Sequence, residues 1–144
     1  MSSKAGETGP AEAIWYSYAV FRVVPRVERE EFLNVGVILF ARTANFLRLQ
    51  LELDERRLLA LAPDIDLGAV RKHLKALQEI CEGSSEGGLI ASLSQSERFH
   101  WLTAPRSTVI QPSPIHVGRC ESPEVALQEL MNSLVRWPGP AESG

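Results

Sequence analysis

The stretch Trp101-Leu-Thr-Ala-Pro-Arg-Ser-Thr-Val-Ile-Gln-Pro-Ser-Pro-Ile-His-Val-Gly118 gathers most of the chemistry-bearing residues of this chain. Arg106 beside Ser107 and Thr108 supplies a guanidinium, hydroxyls and backbone N–H groups, which hold phosphate or carboxylate through charge-assisted bonds. Gln111, Ser113 and His116 follow, and an imidazole is the side chain that suits general-base work near neutral pH. Asn34 and Gly36, inside an apolar strand, would form the floor of such a pocket, because glycine in a strand marks a bulge or a close backbone approach. Each group also has a structural reading. Ser107 and Thr108 satisfy a turn locally, and Arg106 pairs with Glu97 or another acid. His116 serves as a plain donor, Asn34 ties down a neighbouring loop, and Gly36 admits an aromatic such as Trp15 or Phe21.

Several chemistries are not expected. The stretch lacks the glycine-rich cradle and following lysine of a P-loop, and no nucleophile elbow surrounds His116. His116 and Cys120 lie four apart, with Cys81 and His100 elsewhere, so the paired spacing of structural zinc is missing. No metal and no cofactor is implied. Glu28, Glu30 and Glu31, interleaved with Arg26 and Arg29, read as a solvated charge run rather than a catalytic carboxylate pair.

A chain of 144 residues suits one domain with a real core. The net charge of −3 gives no electrostatic footprint for nucleic acid. Residues 1–13 lack the apolar run of a signal peptide, and no segment approaches the roughly 20 apolar residues of a membrane helix. These features predict a cytoplasmic protein whose two cysteines stay reduced as small apolar residues. The small and polar segments 1–13 and 138–144 are expected to be disordered tails around a single domain at 14–137.

Positioning elements follow from periodicity. Trp15 to Val24 is aromatic and β-branched, as strands are. Leu33 to Phe40 reads as a second strand, with Leu33, Val35, Val37 and Leu39 on one face and Asn34, Gly36, Ile38 and Phe40 on the other. Leu47, Leu49, Leu51 and Leu53 alternate with Arg48, Gln50 and Glu52, which predicts a third strand with one wet face and a hairpin through residues 41–45. A short helix is expected over 54–61. Asp66 caps a longer one, with Leu67, Val70, Leu74, Leu77 and Cys81 as its stripe and Gly83 at its end. A flexible loop follows at 83–88, and a short helix is expected within 94–103. Thr108 to Gln111 reads as a late strand closed by a Pro112-Ser-Pro114 turn, with Ile115 to Arg119 extended beyond it. Ser122 and Pro123 open a last helix, with Val125, Leu127, Leu130, Met131 and Leu134 as its buried stripe. The sum is an α+β fold: a three-stranded antiparallel meander joined by a late strand, with helices packed on one face.

Two stretches carry a resemblance. Tyr16-Ser-Tyr-Ala-Val-Phe-Arg-Val-Val-Pro25, followed by Glu31-Phe-Leu-Asn-Val-Gly-Val-Ile-Leu-Phe40, resembles the opening of an uncharacterised bacterial family, the domain of unknown function 3037. Glu97-Arg-Phe99 through Arg106-Ser-Thr108 to His116-Val-Gly118 is similar to that family's second motif. The resemblance runs from Trp15 to Val135. It implies a single-domain bacterial protein without assigned activity, and carries over no catalytic residue. Some members are encoded beside kinase-like proteins of the HipA type, which implies a HipA-like kinase-fold protein as partner.

Two functions are therefore expected in competition. One is a non-enzymatic interaction or regulatory accessory protein that binds a partner or itself, through an exposed apolar patch or an uncovered sheet edge. The alternative is a binding or catalytic module for a small anionic ligand, a phosphate or nucleotide. There Arg106 would grip the anion, Ser107 and Thr108 would orient it, and His116 would move a proton over Asn34.

Overall fold

The computed structural model describes residues 13–137, so the expected tails lie outside the described residues but for Ala13. The chain folds into an antiparallel sheet with helices, as the α+β reading predicts. Its central strands are β1 (Ile14–Val23), β2 (Leu33–Ala41) and β3 (Phe46–Leu51), in the spatial order β3-β2-β1. Both edges of β1 are used. On the far side lie β4 (Ile110–Pro112), which pairs with Phe21–Val23, and β5 (His116–Cys120), which pairs with Ile14–Tyr18. The late strand expected at 108–111 is thus β4, and the extended piece expected at 115–119 joins the sheet as β5.

A bulge in β2 changes the expected facing of its side chains. Phe21 pairs with Gly36 but Arg22 pairs with Asn34, leaving Val35 as one extra residue. An extra residue reverses the alternation along a strand. Leu33 and Val35 therefore share a face with Ile38 and Phe40, while Val37, Leu39 and Ala41 point the other way. The simple alternation drawn from the sequence holds on each side of the bulge and fails across it.

This reversal supplies two cores. The first joins Ala19, Phe21, Val23, Val35, Ile38 and Leu49 to the stripe of α2 (Leu67–Glu82) and to Leu58 of α1 (Glu55–Leu61). Phe99 and Leu102 of α4 (Gln95–Thr103) complete it. These helices cover one face, as expected. Of the caps that set their limits, Asp66 and Gly83 are those read from sequence, while the Asp54 cap and the Ser94–Glu97 box emerge from the structure. Asp54 and Asp66 accept from Arg57 N–H and Ala69 N–H, and Gly83 closes α2 with φ of 73°. Ser94 and Glu97 form a reciprocal capping box on α4. The expected flexible loop after Gly83 is instead a tight turn followed by a one-turn helix, α3 (Gly88–Ala91), which seats Ala91 in the interior.

The second core lies on the opposite face, where α5 (Pro123–Leu134) places Ala126, Leu127 and Met131 on Val37, Leu39 and Ala41. Helices thus cover both faces. The helix also turns further than its expected stripe: Val125 and Leu134 are exposed, and Ala126 is buried. Its polar side meets the face of β3 that the alternation marks as wet. Arg48 pairs with Glu124, Gln128 donates to Gln50, and Arg136 makes two bonds to Glu52 at 2.8 and 2.5 Å.

The last pair makes docking of α5 sensitive to acid. Arg136, by hydrogen bond and charge, holds the Glu52 carboxyl below its ordinary value of 4.5 against an opposing push from partial burial. A lowered folded value contributes stability above the unfolded value and loses it as pH falls through the folded one. Urea titrations of wild type and Glu52→Gln should therefore differ at neutral pH and converge below pH 4.5. A gap that is constant with pH would contradict this coupling.

Candidate functional site

The two groups that the sequence places around one pocket sit on opposite sides of the sheet. Asn34 faces α5 and donates from Nδ2 to Leu134 O at 2.9 Å. Arg106 lies past the end of α4, on the other face. Its Nη2 donates to Trp101 O at 2.7 Å and its guanidinium stacks 4.9 Å from the Trp101 ring centroid. A carbonyl at a helix C-terminus carries partial negative charge, so Arg106 acts there as a cap. Glu97, the acid expected for it, belongs to the capping box at the other end of the same helix.

The remaining groups of the stretch largely bond within it. Thr108 Oγ1 donates to Ile110 O, and Gln111 Nε2 donates to Thr108 O. Ser107 is exposed. His116 lies across from Tyr18, with ring centroids 5.2 Å apart. Gly36 admits no aromatic ring. A Cβ there would stand 2.6 Å from Gln50 O, so the bare backbone serves the close crossing of β3. Arg29 pairs with Glu31 in the exposed charge run, as a solvated segment does.

Ser113 has a structural task that its residue type hides. Between the pairs Tyr18–His116 and Phe21–Pro112, β1 spends two residues where the opposite segment spends three. At this second bulge Ser113 N–H donates to Val20 O at 2.8 Å, and Ser113 Oγ accepts from Val20 N–H at 2.9 Å. The hydroxyl thus replaces the carbonyl that the ladder lacks. It is buried, and its own O–H donates to Pro114 O at 2.9 Å. Ser113→Ala should cost about 1–2 kcal/mol in denaturant unfolding, because it strands the Val20 N–H. Ser113→Thr, which keeps the hydroxyl, should recover much of that loss.

Two apolar clefts flank this segment. One, of about 350 Å³, runs between Val70 and His73 of α2 and Val109 and Ile110. Burial and the nearby Arg106 charge both hold the His73 imidazole below its usual value. The other, of about 260 Å³, lies between β1 and α4, walled by Trp15, Val117, Phe99 and His100.

Beside that second cleft the sheet ends without a neighbour among the described residues. Because Val20 exchanges bonds with Ser113, the even-numbered residues of β1 direct their N–H and C=O groups towards β4 and β5. In an antiparallel ladder bonded and unbonded pairs alternate. Tyr18–His116, Tyr16–Gly118 and Ile14–Cys120 are therefore the bonded pairs, and Val117 and Arg119 turn their backbone groups outward. Pro112 obeys the same rule one strand earlier: it pairs with Phe21 at an unbonded position, where its missing N–H costs nothing.

Side chains along this edge are exposed and partly apolar. Trp15 is 61% exposed and Val117 64%, with Ile115 beside them. Arg119 stacks over Trp15 at 5.1 Å. On the opposite face the Tyr16 ring lies over Gly118, where a Cβ would come within 2.6 Å of it. The sequence gives little sign of this edge, since Trp15 reads as a core aromatic until its partner Arg119 is known.

The family model described as Protein of unknown function (DUF3037) matches residues 18–135. The chain belongs to this family. Its match runs from within β1 through α5 and so takes in both bulges. No curated protein and no solved structure matches the chain. Among the described residues of this DUF3037 protein, no helix is long and apolar enough to cross a membrane.

Proposed function

We propose that this protein works without catalysis, as an interaction or regulatory accessory subunit that accepts a strand along the outer edge of β5. One observation carries the reading: Val117 and Arg119 present outward backbone groups beside the exposed side chains of Trp15 and Val117. Natural proteins usually blunt such edges. Strand addition uses the main chain for affinity and a neighbouring pocket for alternate side chains, and the cleft between Trp15 and His100 adjoins this edge. The alternative, an anion held by Arg106, Ser107 and Thr108, has weaker support. Arg106 is engaged by Trp101, and Asn34 is across the sheet.

The accessory role includes the HipA-like kinase-fold partner that the family resemblance implies, and a cytoplasmic bacterial setting. Full-length tagged protein and its Val117→Lys variant, each recovered from native cells, test the reading. A stoichiometric protein, or an untagged copy of the chain, should be retained by the wild type and lost by the variant. Equal recovery with both would remove the edge from consideration.

A further inference from the structure

We infer that the strand accepted by this edge is β5 of a second copy, paired antiparallel about Gly118. The inference rests on the reading above and adds the identity of the occupant. In a twofold arrangement, if residue i faces residue j of the second copy then j faces i, so each register is fixed by the residue on the axis and only a few exist. With Arg119 opposite itself, two guanidiniums stand directly across the ladder, an unfavourable pairing. With Val117 opposite itself, Arg119 must pair with Ile115, which lies outside the regular strand. The register centred on Gly118 uses only β5. It sets Val117 opposite Arg119 of the second copy, and Arg119 opposite Val117 of the second copy.

That register matches the groups on offer. Val117 and Arg119 are the residues with outward N–H and C=O, and paired residues in such a position exchange both bonds. Gly118 then meets Gly118 of the second copy at the unbonded position, where Cα atoms approach to about 4.5 Å. The residue already bare to admit the Tyr16 ring leaves that approach unobstructed. Each Arg119 is drawn back over its own Trp15, away from the axis. Val117 sits against the stem of Arg119 from the second copy, and the two sheets become continuous. The contact is small by the standard of permanent dimers, so association is expected to depend on concentration.

Sedimentation of the full chain over a wide concentration range tests this. Wild type should show a monomer–dimer equilibrium. Val117→Pro removes an outward donor and leaves the pairing with β1 intact, as Pro112 does naturally. Val117→Lys places a charge on the edge. Both should weaken dimerisation at least tenfold, with melting curves showing each variant folded. The register is read by His116→Cys: its thiol faces Cys120 of the second copy, and mild oxidation should yield a covalent dimer. A monomer at all concentrations, or a dimer indifferent to both Val117 variants, overturns the inference. A monomeric wild type that still captures another protein through an edge sensitive to Val117→Lys would overturn self-pairing alone and leave the edge reading standing. Loss of both behaviours would overturn both.

Discussion

Leu127→Ala should lower the free energy of unfolding by about 2–5 kcal/mol in urea titration, the usual cost of truncating a buried leucine. Leu127 is fully buried beside Met131, against Val37, Leu39 and Ala41. Those strand residues face α5 and not α2, so helices on the other side cannot close the space left behind. Val125→Ala on the same helix is the control. Its side chain is 53% exposed, and its loss should shift stability by no more than about 0.5 kcal/mol. If the two variants cost the same, α5 is not seated as described.

Gly36→Val should destabilise by about 1–3 kcal/mol, the range for forcing bulk into filled space. The sign makes this informative. Valine suits strands better than glycine does, so strand propensity alone predicts a gain. The structure predicts a loss, because a Cβ at this position meets Leu51 Cδ2 at 2.5 Å and Gln50 O at 2.6 Å. A leucine methyl can rotate away, but the carbonyl oxygen belongs to the β2–β3 ladder. Gly36 lies outside the positive-φ region, so the penalty is steric and not conformational. A variant as stable as wild type would show that β3 yields at this crossing.

Much of the fold was legible because local signals agreed with global packing. The alternation at Leu47–Leu53, the cap Asp66 and the terminator Gly83 all act within a few residues of themselves. Features that depend on contacts distant in sequence were not legible. The extra Val35 is invisible to an alternation rule, since Leu33, Val35, Val37 and Leu39 are apolar in unbroken alternation across the bulge. Arg48, Gln50 and Glu52 read as solvent-facing, and nothing local says that Glu124, Gln128 and Arg136 will meet them. The candidate site fared worse for the same reason. Arg106, Ser107 and Thr108 have the composition of an anion grip, but Arg106 is used five residues back in its own chain, on Trp101. Ser113 reads as part of a turn, whereas its hydroxyl completes a ladder 93 residues away in sequence.

The separation of the two cores has a consequence for how the native state fluctuates. Among the described residues α5 is the one helix seated on its face of the sheet, so it can detach without disturbing what α2 and α4 hold. Cooperative units of this kind open below the global free energy and are seen in amide exchange. The amides of α5 should therefore exchange through a partial opening of their own, while those of α2 should wait for the whole domain. Such an excursion would bare Val37 and Leu39, so aggregation should start from the sheet face that α5 covers.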